Sequence, residues 1–220
     1  MELYSGHKIK SEIEGIIGAI GLALIIISST ASSHAQSTEP MKAEINQFDT
    51  ITLGAGCFWC VEAIFESIPG VQHAVSGYSG GHIKNPAYRE VCAGTTGHAE
   101  VIQVTYDPKE LSLELLFDVF FASHDPTTLN SQGADAGTQY RSAIYHHTPQ
   151  QLEAAISALA RAQNDWPLPI VTELAKFEIF YQAGDVHQEY YKLNKEAPYC
   201  RAVIAPKMKK FKKDFGAKFN

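Results

Sequence analysis

Basic residues are scarce in this sequence. Lysine and arginine total 18 of 220 residues against 24 acidic residues, which gives a formal net charge of −6. Because a surface that binds a polyanion needs an excess of positive charge, nucleic acid is excluded as a main partner. The chain also lacks an internal repeat, and its length predicts one principal folded domain rather than two.

Long apolar runs are scarce as well. An apolar stretch at residues 16–27 is shorter than the ~20 residues of a membrane-spanning helix, but it is typical of a secretory signal. Ser33 and Ala35 supply small residues at the two positions that a signal peptidase reads. We therefore predict cleavage after Ala35 and export to the periplasm.

This interpretation divides the chain into three parts. We predict a signal peptide at residues 1–35, a polar linker at 36–47 and the main domain at 48–220. The usual positive charge before the apolar stretch is missing, because Lys8 and Lys10 are offset by glutamates. An uncleaved anchor facing the periplasm therefore stays open as an alternative, and this segment is the only membrane contact that we expect.

Cysteine is the third scarce residue, with four in the chain: Cys57, Cys60, Cys92 and Cys200. The spacing of the first two fits half of a zinc site, but no second cysteine pair or suitably spaced histidine pair follows. A metal site is therefore not predicted. In an oxidising compartment the four residues allow three disulfide pairings, and the spacing does not choose among them.

The remaining pattern alternates between strands and helices. Strand periodicity predicts strands at residues 49–53, 71–78, 99–106, 140–146 and 170–183, with a last extended piece at 201–204. Helical periodicity predicts helices at 57–67, 111–124, 149–164 and 187–193, and a basic C-terminal helix whose apolar side is Met208, Phe211 and Phe215. Residues 79–97 and 127–139 are predicted to be irregular. We predict an α+β fold in which helices pack on a mixed, mostly antiparallel sheet, with the second strand beside the first.

Cys57 follows the predicted first strand and a glycine-rich turn, which places it at a helix N-terminus. Unpaired backbone N–H groups and the helix dipole stabilise a thiolate there, so Cys57 is a candidate nucleophile. Phe58 and Trp59 follow it directly. They are either core residues or the walls of an apolar pocket for a small methyl or thioether group.

Four motifs in this order resemble the peptide methionine sulfoxide reductases of the A class. They are GCFWCVE at 56–62, GGH at 80–82 with NPAY at 85–88 and GTTGHAE at 94–100, QGADAGTQYRS at 132–142, and HQEYY at 187–191 with PYC at 198–200. The resemblance covers roughly residues 49–215. It implies a catalytic domain with a ferredoxin-like core that uses neither cofactor nor metal.

The resemblance also implies roles for individual residues. Cys57 attacks the sulfoxide sulfur of the S-epimer of methionine sulfoxide, while Glu100 supplies a proton to the sulfoxide oxygen. Two tyrosine hydroxyls, Tyr88 and Tyr140, donate hydrogen bonds to the same oxygen. Three residues bind substrate: Phe58 and Trp59 hold the methyl group, and Asp135 meets the backbone N–H of the substrate methionine. Without these motifs, Glu100 would be interpreted as an ordinary exposed carboxylate at the start of a strand. The two tyrosines would be interpreted as half-buried core residues and Asp135 as a turn former.

The attack leaves a sulfenic acid on Cys57, which condenses with a second thiol. The resemblance favours Cys200 as this resolving thiol, whereas Cys60 is closer in sequence and requires a disulfide across one helical turn. We predict that Cys92 is a buried structural thiol. The implied partners are oxidised proteins or peptides and a thioredoxin-like reductant.

Two other interpretations compete. A thioredoxin-like dithiol oxidoreductase would use Cys57 and Cys60 as its exchanging pair, but it would give Glu100 no role. A noncatalytic exported domain held by disulfides would have no reactive thiol at all.

Overall fold

The computed structural model describes residues 47–219 of the chain. The predicted signal peptide at 1–35, and the linker apart from its last residue, lie outside the described residues. Within residues 47–219, no helix has both the length and the apolar character needed to cross a membrane.

Eight strands and six α-helices form this part of the chain. The strands are β1 (Asp49–Ala55), β2 (Val71–Ser79), β3 (Ala99–Tyr106), β4 (Ser131–Gln132), β5 (Asp135–Ala136), β6 (Ser142–His146), β7 (Glu173–Lys176) and β8 (Tyr181–Gln182). The helices are α1 (Phe58–Phe65), α2 (Tyr88–Cys92), α3 (Leu113–Ser123), α4 (Pro149–Ala162), α5 (Tyr190–Leu193) and α6 (Ala205–Phe215).

Six of the strands form one sheet in the order β7-β6-β1-β3-β2-β8, while β4 and β5 pair separately. Only β6 and β7 are parallel neighbours, and the other pairs in this sheet are antiparallel. The predicted mixed, mostly antiparallel sheet is confirmed. The four central strands have the order β6-β1-β3-β2, in which two β-helix-β crossovers interlock as in ferredoxin-like folds.

One detail of the sheet was predicted wrongly. β2 does not lie beside β1, because β3 lies between them and pairs with both. A helical crossover such as α1 carries the chain over the sheet, so the two strands that it joins need not be neighbours. Strand periodicity says which face of a strand is buried, but it does not give the strand order.

The two faces of the sheet are covered differently. Side chains alternate along β3, so Ile102, Val104 and Tyr106 lie in the main core with the helices, as predicted. Ala99 and Val101 lie on the opposite face in a small second cluster. Glu100 has the same parity as Ile102, and its side chain therefore points to the helix side.

Two helix predictions are confirmed in detail. The Thr148 side chain caps α4 by accepting from the Gln151 N–H, and Pro149 occupies the first turn. The apolar side of α6 is buried, as predicted for Met208, Phe211 and Phe215.

The chain between residues 170 and 183 is not one strand. β7 lies at one edge of the sheet and β8 at the other, so the intervening residues must cross the sheet. Phe177 and Phe180 lie in this crossing and pack on the second cluster. A segment that covers a sheet face has apolar residues at a spacing similar to that of a strand, so its sequence predicts one.

The extended piece predicted at 201–204 is also wrong, since Cys200–Ile204 forms a π-helical turn that runs into α6. Cys200 and Ile204 are both fully buried, and their four-residue spacing continues the apolar stripe of that helix. The two predicted irregular regions each contain short elements, α2 in the first and the β4–β5 pair in the second.

Candidate active site

The end of β1 leads directly to Cys57. Gly56 has φ +87°, a conformation that favours glycine, and a Cβ atom there would lie 2.8 Å from the Gln132 side chain. Cys57 is the N-cap of α1, and its carbonyl accepts the N–H of Cys60 at 3.1 Å. The predicted placement of the thiol at a helix N-terminus is confirmed, and the residue is only 8% exposed.

Glu100 lies against the same helix start. Its Oε2 accepts the backbone N–H of Phe58, the residue after Cys57, at 3.1 Å. The side chain is buried, and this burial raises the pKa of Glu100 to about 8, assisted by the charges of Cys57 and Asp135 and opposed by the Phe58 hydrogen bond. Glu100 is therefore a protonated acid near neutral pH, next to the candidate nucleophile.

Tyr88 and Tyr140 come from two separate loops. Tyr88 is the first residue of α2 and is 37% exposed, whereas Tyr140 ends the 3₁₀ turn Thr138–Tyr140 and is half-buried. Burial raises the pKa of each hydroxyl well above its usual range, and the charge of Glu100 acts in the same direction. Both tyrosines are thus neutral donors in the electrostatic field of the acid.

Phe58 and Trp59 belong to a cluster of aromatic rings. Trp59 stacks on Tyr190 with 3.7 Å between centroids and 9° between planes. Phe58 meets the His187 ring at 5.4 Å, and His187 also contacts Tyr88 at 4.4 Å. The two predicted pocket residues therefore form part of a wall of rings beside the thiol.

Asp135 lies in β5 and is half-buried. Its Oδ2 accepts the hydroxyl of Tyr199 at 2.9 Å, and the same hydroxyl lies 3.8 Å from the Cys60 sulfur. This chain of contacts joins the predicted substrate-binding carboxylate to the second thiol of the GCFWC segment.

All four cysteines lie within the described residues and are free thiols. The neighbouring Cys60 thiol raises the pKa of Cys57, as does burial, and the Cys57 thiol lowers the pKa of Cys60. Cys200 is fully buried in the core that contains both thiols, and its pKa is raised by burial and then by the charge of Cys57. All three of these cysteines therefore lie in one core, and the resolving role of Cys200 stays a prediction.

The prediction for Cys92 is wrong, because this thiol is exposed. It ends the short helix α2, in which Val91 is the buried residue. Because adjacent helical residues point about 100° apart, a helix that buries position 91 turns position 92 outward.

Several residues at the site had no role predicted from the sequence: Tyr78, Glu62, His187, Tyr190 and Tyr199. Glu62 belongs to the GCFWCVE motif, and its buried carboxylate accepts the Ser76 hydroxyl at 3.0 Å and the Tyr190 N–H at 3.3 Å. Burial raises the pKa of Glu62 to about 7. It ties α1 to the segment that stacks on Trp59. A buried carboxylate inside a helical apolar stripe is the signal that could have revealed it.

Within residues 47–219, no group of three histidine, cysteine, aspartate or glutamate side chains is arranged to hold a metal ion. The chemistry present is a thiol at a helix N-terminus, a buried neutral acid, two phenols and an aromatic wall. A thiol can attack a polar group while an adjacent acid protonates the oxygen of that group. The fold and the site together define a thiol-dependent oxidoreductase with an α+β core.

Comparison with known proteins identifies the family. The sequence model of the family described as "Peptide methionine sulfoxide reductase" matches residues 49–219, and the chain belongs to this family. It is 49% identical over 167 residues to peptide methionine sulfoxide reductase MsrA of Saccharolobus solfataricus, covering 76% of this chain and 94% of the relative. It is 50% identical over 170 residues to MsrA 1 of Rhodopirellula baltica, covering 77% and 88%.

The fold is likewise similar to a solved structure of the family. The crystal structure of Mxr1 from Saccharomyces cerevisiae in reduced form superposes with a TM-score of 0.67 at 36% sequence identity, covering 70% of this chain and 90% of that chain. The predicted family and the predicted α+β fold are both confirmed.

Proposed function

We propose that this chain reduces the S-epimer of methionine sulfoxide in proteins and peptides, as a peptide-methionine (S)-S-oxide reductase. One observation carries the proposal. The acid Glu100 is held by the backbone N–H next to the nucleophile Cys57, at 3.1 Å. Cys57 can therefore attack the sulfur of a sulfoxide group while Glu100 protonates the oxygen of the same group.

The first step forms a bond between the Cys57 sulfur and the substrate sulfur. Sulfoxide oxygen leaves poorly until it is protonated, and Glu100 supplies that proton while the tyrosine hydroxyls stabilise the oxygen. The proton of the Cys57 thiol returns Glu100 to its acid form. The hydroxyl group then passes from the substrate sulfur to the Cys57 sulfur, as the substrate S–O bond and the new S–S bond break. Methionine departs reduced, and the cysteine is oxidised to a sulfenic acid.

The second step consumes the sulfenic acid. A neighbouring thiol attacks the Cys57 sulfur, a disulfide forms and water leaves. We place Cys60 first, because it lies one turn from Cys57 at the start of α1, where the Cys57 carbonyl accepts the Cys60 N–H at 3.1 Å. Cys200 is the partner that the resemblance implies, and it lies fully buried in the π-helical turn, in the same core as Cys57.

A dithiol reductant must then restore the two thiols. Exchange proceeds through a mixed disulfide and needs one sulfur that an external thiolate can reach. A thioredoxin-like protein of the compartment in which this chain works suits that chemistry. Asp135 is the acceptor that the resemblance implies for the backbone N–H of the substrate methionine. Peptide-bound methionine sulfoxide is the substrate class that the same resemblance favours.

The epimer-resolved assay tests this function directly. With dithiothreitol as reductant, the S-epimer of a peptide methionine sulfoxide is expected to be converted to methionine, because acid, thiol and aromatic wall form a chiral site. The R-epimer is expected to remain unchanged in the same chromatographic assay. Equal conversion of the two epimers, or reduction of protein disulfides alone, would contradict the proposal.

Export is proposed from the sequence of residues 1–35, with the periplasm as destination and an uncleaved anchor as the alternative. The expected mature protein begins at Gln36. Intact-mass measurement of the protein from both the periplasmic and the membrane fraction checks this, and a mass that includes Met1 would contradict cleavage.

A further inference from the structure

Tyr78 is a buried residue on the strand next to the active-site acid, Glu100. It lies directly opposite Glu100 in the β2–β3 pair. Two residues earlier, the Ser76 hydroxyl reaches α1, and side chains alternate along a strand, so Tyr78 points to the same side. Its ring packs on Phe58 with 5.8 Å between centroids. Phe58 is also the residue whose N–H holds Glu100.

The hydroxyl of Tyr78 is unusual for a buried group. The residue is 3% exposed, and its oxygen makes no hydrogen bond to any group within residues 47–219. A buried donor without a partner destabilises a fold, and native structures keep few of them. A phenylalanine would fill the same space without this penalty, so the hydroxyl calls for a functional explanation.

We propose that Tyr78 is a positioning residue for Glu100, and that its hydroxyl donates to the Glu100 carboxylate once the acid has protonated the sulfoxide oxygen. The inference rests on the proposed function, because it needs Glu100 to be the acid. Before proton transfer the carboxyl is neutral and held at Oε2 by the Phe58 N–H. Afterwards it carries a full negative charge, and Oε1 takes a second donor.

Tyr78 keeps its own proton throughout. Burial raises the pKa of Tyr78 well above its usual range, with the charges of Glu100 and Cys92 acting in the same direction. The hydroxyl therefore supplies a hydrogen bond and no proton. The bond is stronger to a carboxylate than to a neutral acid, so it favours the state that follows proton transfer.

The titratable groups that act on Glu100 come from several elements. They are Cys57 at the start of α1, Asp135 in β5, Tyr78 in β2, Tyr88 in α2 and Tyr140 in the 3₁₀ turn. Of the three tyrosines Tyr78 is the most buried, and its oxygen is closed off from solvent. Tyr78 therefore acts through Glu100, whereas the two outer tyrosines face the substrate.

The variant Tyr78→Phe removes only the hydroxyl and tests this role. We expect its melting temperature to equal or exceed that of the wild type, because an unpartnered buried polar group is lost. We expect kcat to fall about tenfold with KM within about twofold, since a charge-assisted hydrogen bond is lost after substrate binding. The decrease in kcat at alkaline pH, which reports the loss of the Glu100 proton, should occur about one pH unit higher. Without the Tyr78 hydroxyl the Glu100 carboxylate has one hydrogen-bond donor fewer, so the pKa of Glu100 rises.

Tyr106→Phe is the matched control. Tyr106 is 1% exposed and lies at the far end of β3, opposite Asp49 and away from Glu100. Its pH profile should overlay that of the wild type. A Tyr78→Phe enzyme with wild-type kcat and an alkaline decrease at the wild-type pH would overturn the inference, and so would a Tyr78→Phe protein that unfolds, because its hydroxyl would then have a structural partner.

Glu100→Gln in the same series separates this inference from the proposed function. If Glu100→Gln retains wild-type kcat and pH dependence, the acid is wrongly assigned and both proposals fail. If Glu100→Gln is impaired while Tyr78→Phe behaves as the wild type, the proposed function stands and only the role of Tyr78 is wrong.

Discussion

Replacement of Cys57 by serine is expected to lower the rate of methionine formation by about 10³-fold or more, the usual scale for loss of a nucleophile. Serine fits the same space at the helix N-cap, but its hydroxyl ionises far less readily than a thiol. In a single turnover without reductant, the wild type should release one methionine for each enzyme molecule. The serine variant should release none, while circular dichroism shows an unchanged fold.

The same single turnover distinguishes the two resolving thiols. After alkylation and mass mapping, the wild type should contain a Cys57–Cys60 disulfide and a free Cys200, because Cys60 lies one helical turn from Cys57. Cys60→Ser should still release one methionine and then accumulate sulfenic acid, since it lacks the adjacent thiol. A Cys57–Cys200 disulfide in the wild type would instead establish Cys200 as the resolving residue.

Replacement of Glu100 by glutamine is expected to lower kcat by about 10²–10⁴-fold, the range found for general acids. Glutamine keeps the hydrogen bond from the Phe58 N–H but has no proton to give to the sulfoxide oxygen. In the wild type, kcat should fall as the pH rises through about 8, where Glu100 loses its proton. The variant should lack this limb. A wild-type limb in Glu100→Gln would assign the titration to another group.

Glu62→Gln is the matched control for this pH effect. Glu62 is also a buried carboxyl, with a pKa of about 7, but it contacts Ser76 and Tyr190 rather than the nucleophile. Loss of the Glu62 carboxylate should raise KM, because Tyr190 stacks on Trp59. The decrease in kcat near pH 8 should remain.

Glu100 also links stability to pH, with a sign that follows from its raised pKa. The folded value of about 8 exceeds the ordinary 4.5, so the folded state binds this proton more tightly. Its stabilisation is fully present below pH 4.5 and is lost as the pH rises through about 8. The gain in melting temperature of Glu100→Gln over the wild type should therefore be larger at pH 9 than at pH 6. An identical difference at both values would contradict the burial of an ionising carboxyl.

Much of the fold was predictable because it depends on local periodicity. The alternation of Ile102, Val104 and Tyr106 identified a strand and its buried face. Thr148 followed by Pro149 identified the start of a helix from cap chemistry alone. Strand order was not predictable in this way, and β3 takes the place that β2 was expected to occupy. Long-range pairing depends on the whole sheet rather than on any one window.

The sequence by itself determined the nucleophile and its setting, since a strand, a glycine turn and an apolar helix in succession place Cys57 at an N-terminus. Tertiary structure decided what surrounds the thiol. Glu100 is a neutral acid only because β3 buries it beside α1, and this burial outweighs the hydrogen bond from the Phe58 N–H. Tyr78 lies next to Glu100 only because β2 pairs with β3 in the register that places these two residues opposite each other. Burial and cross-strand contact join residues far apart in the chain, and they govern pKa and hydrogen bonding in ways that local spacing does not encode.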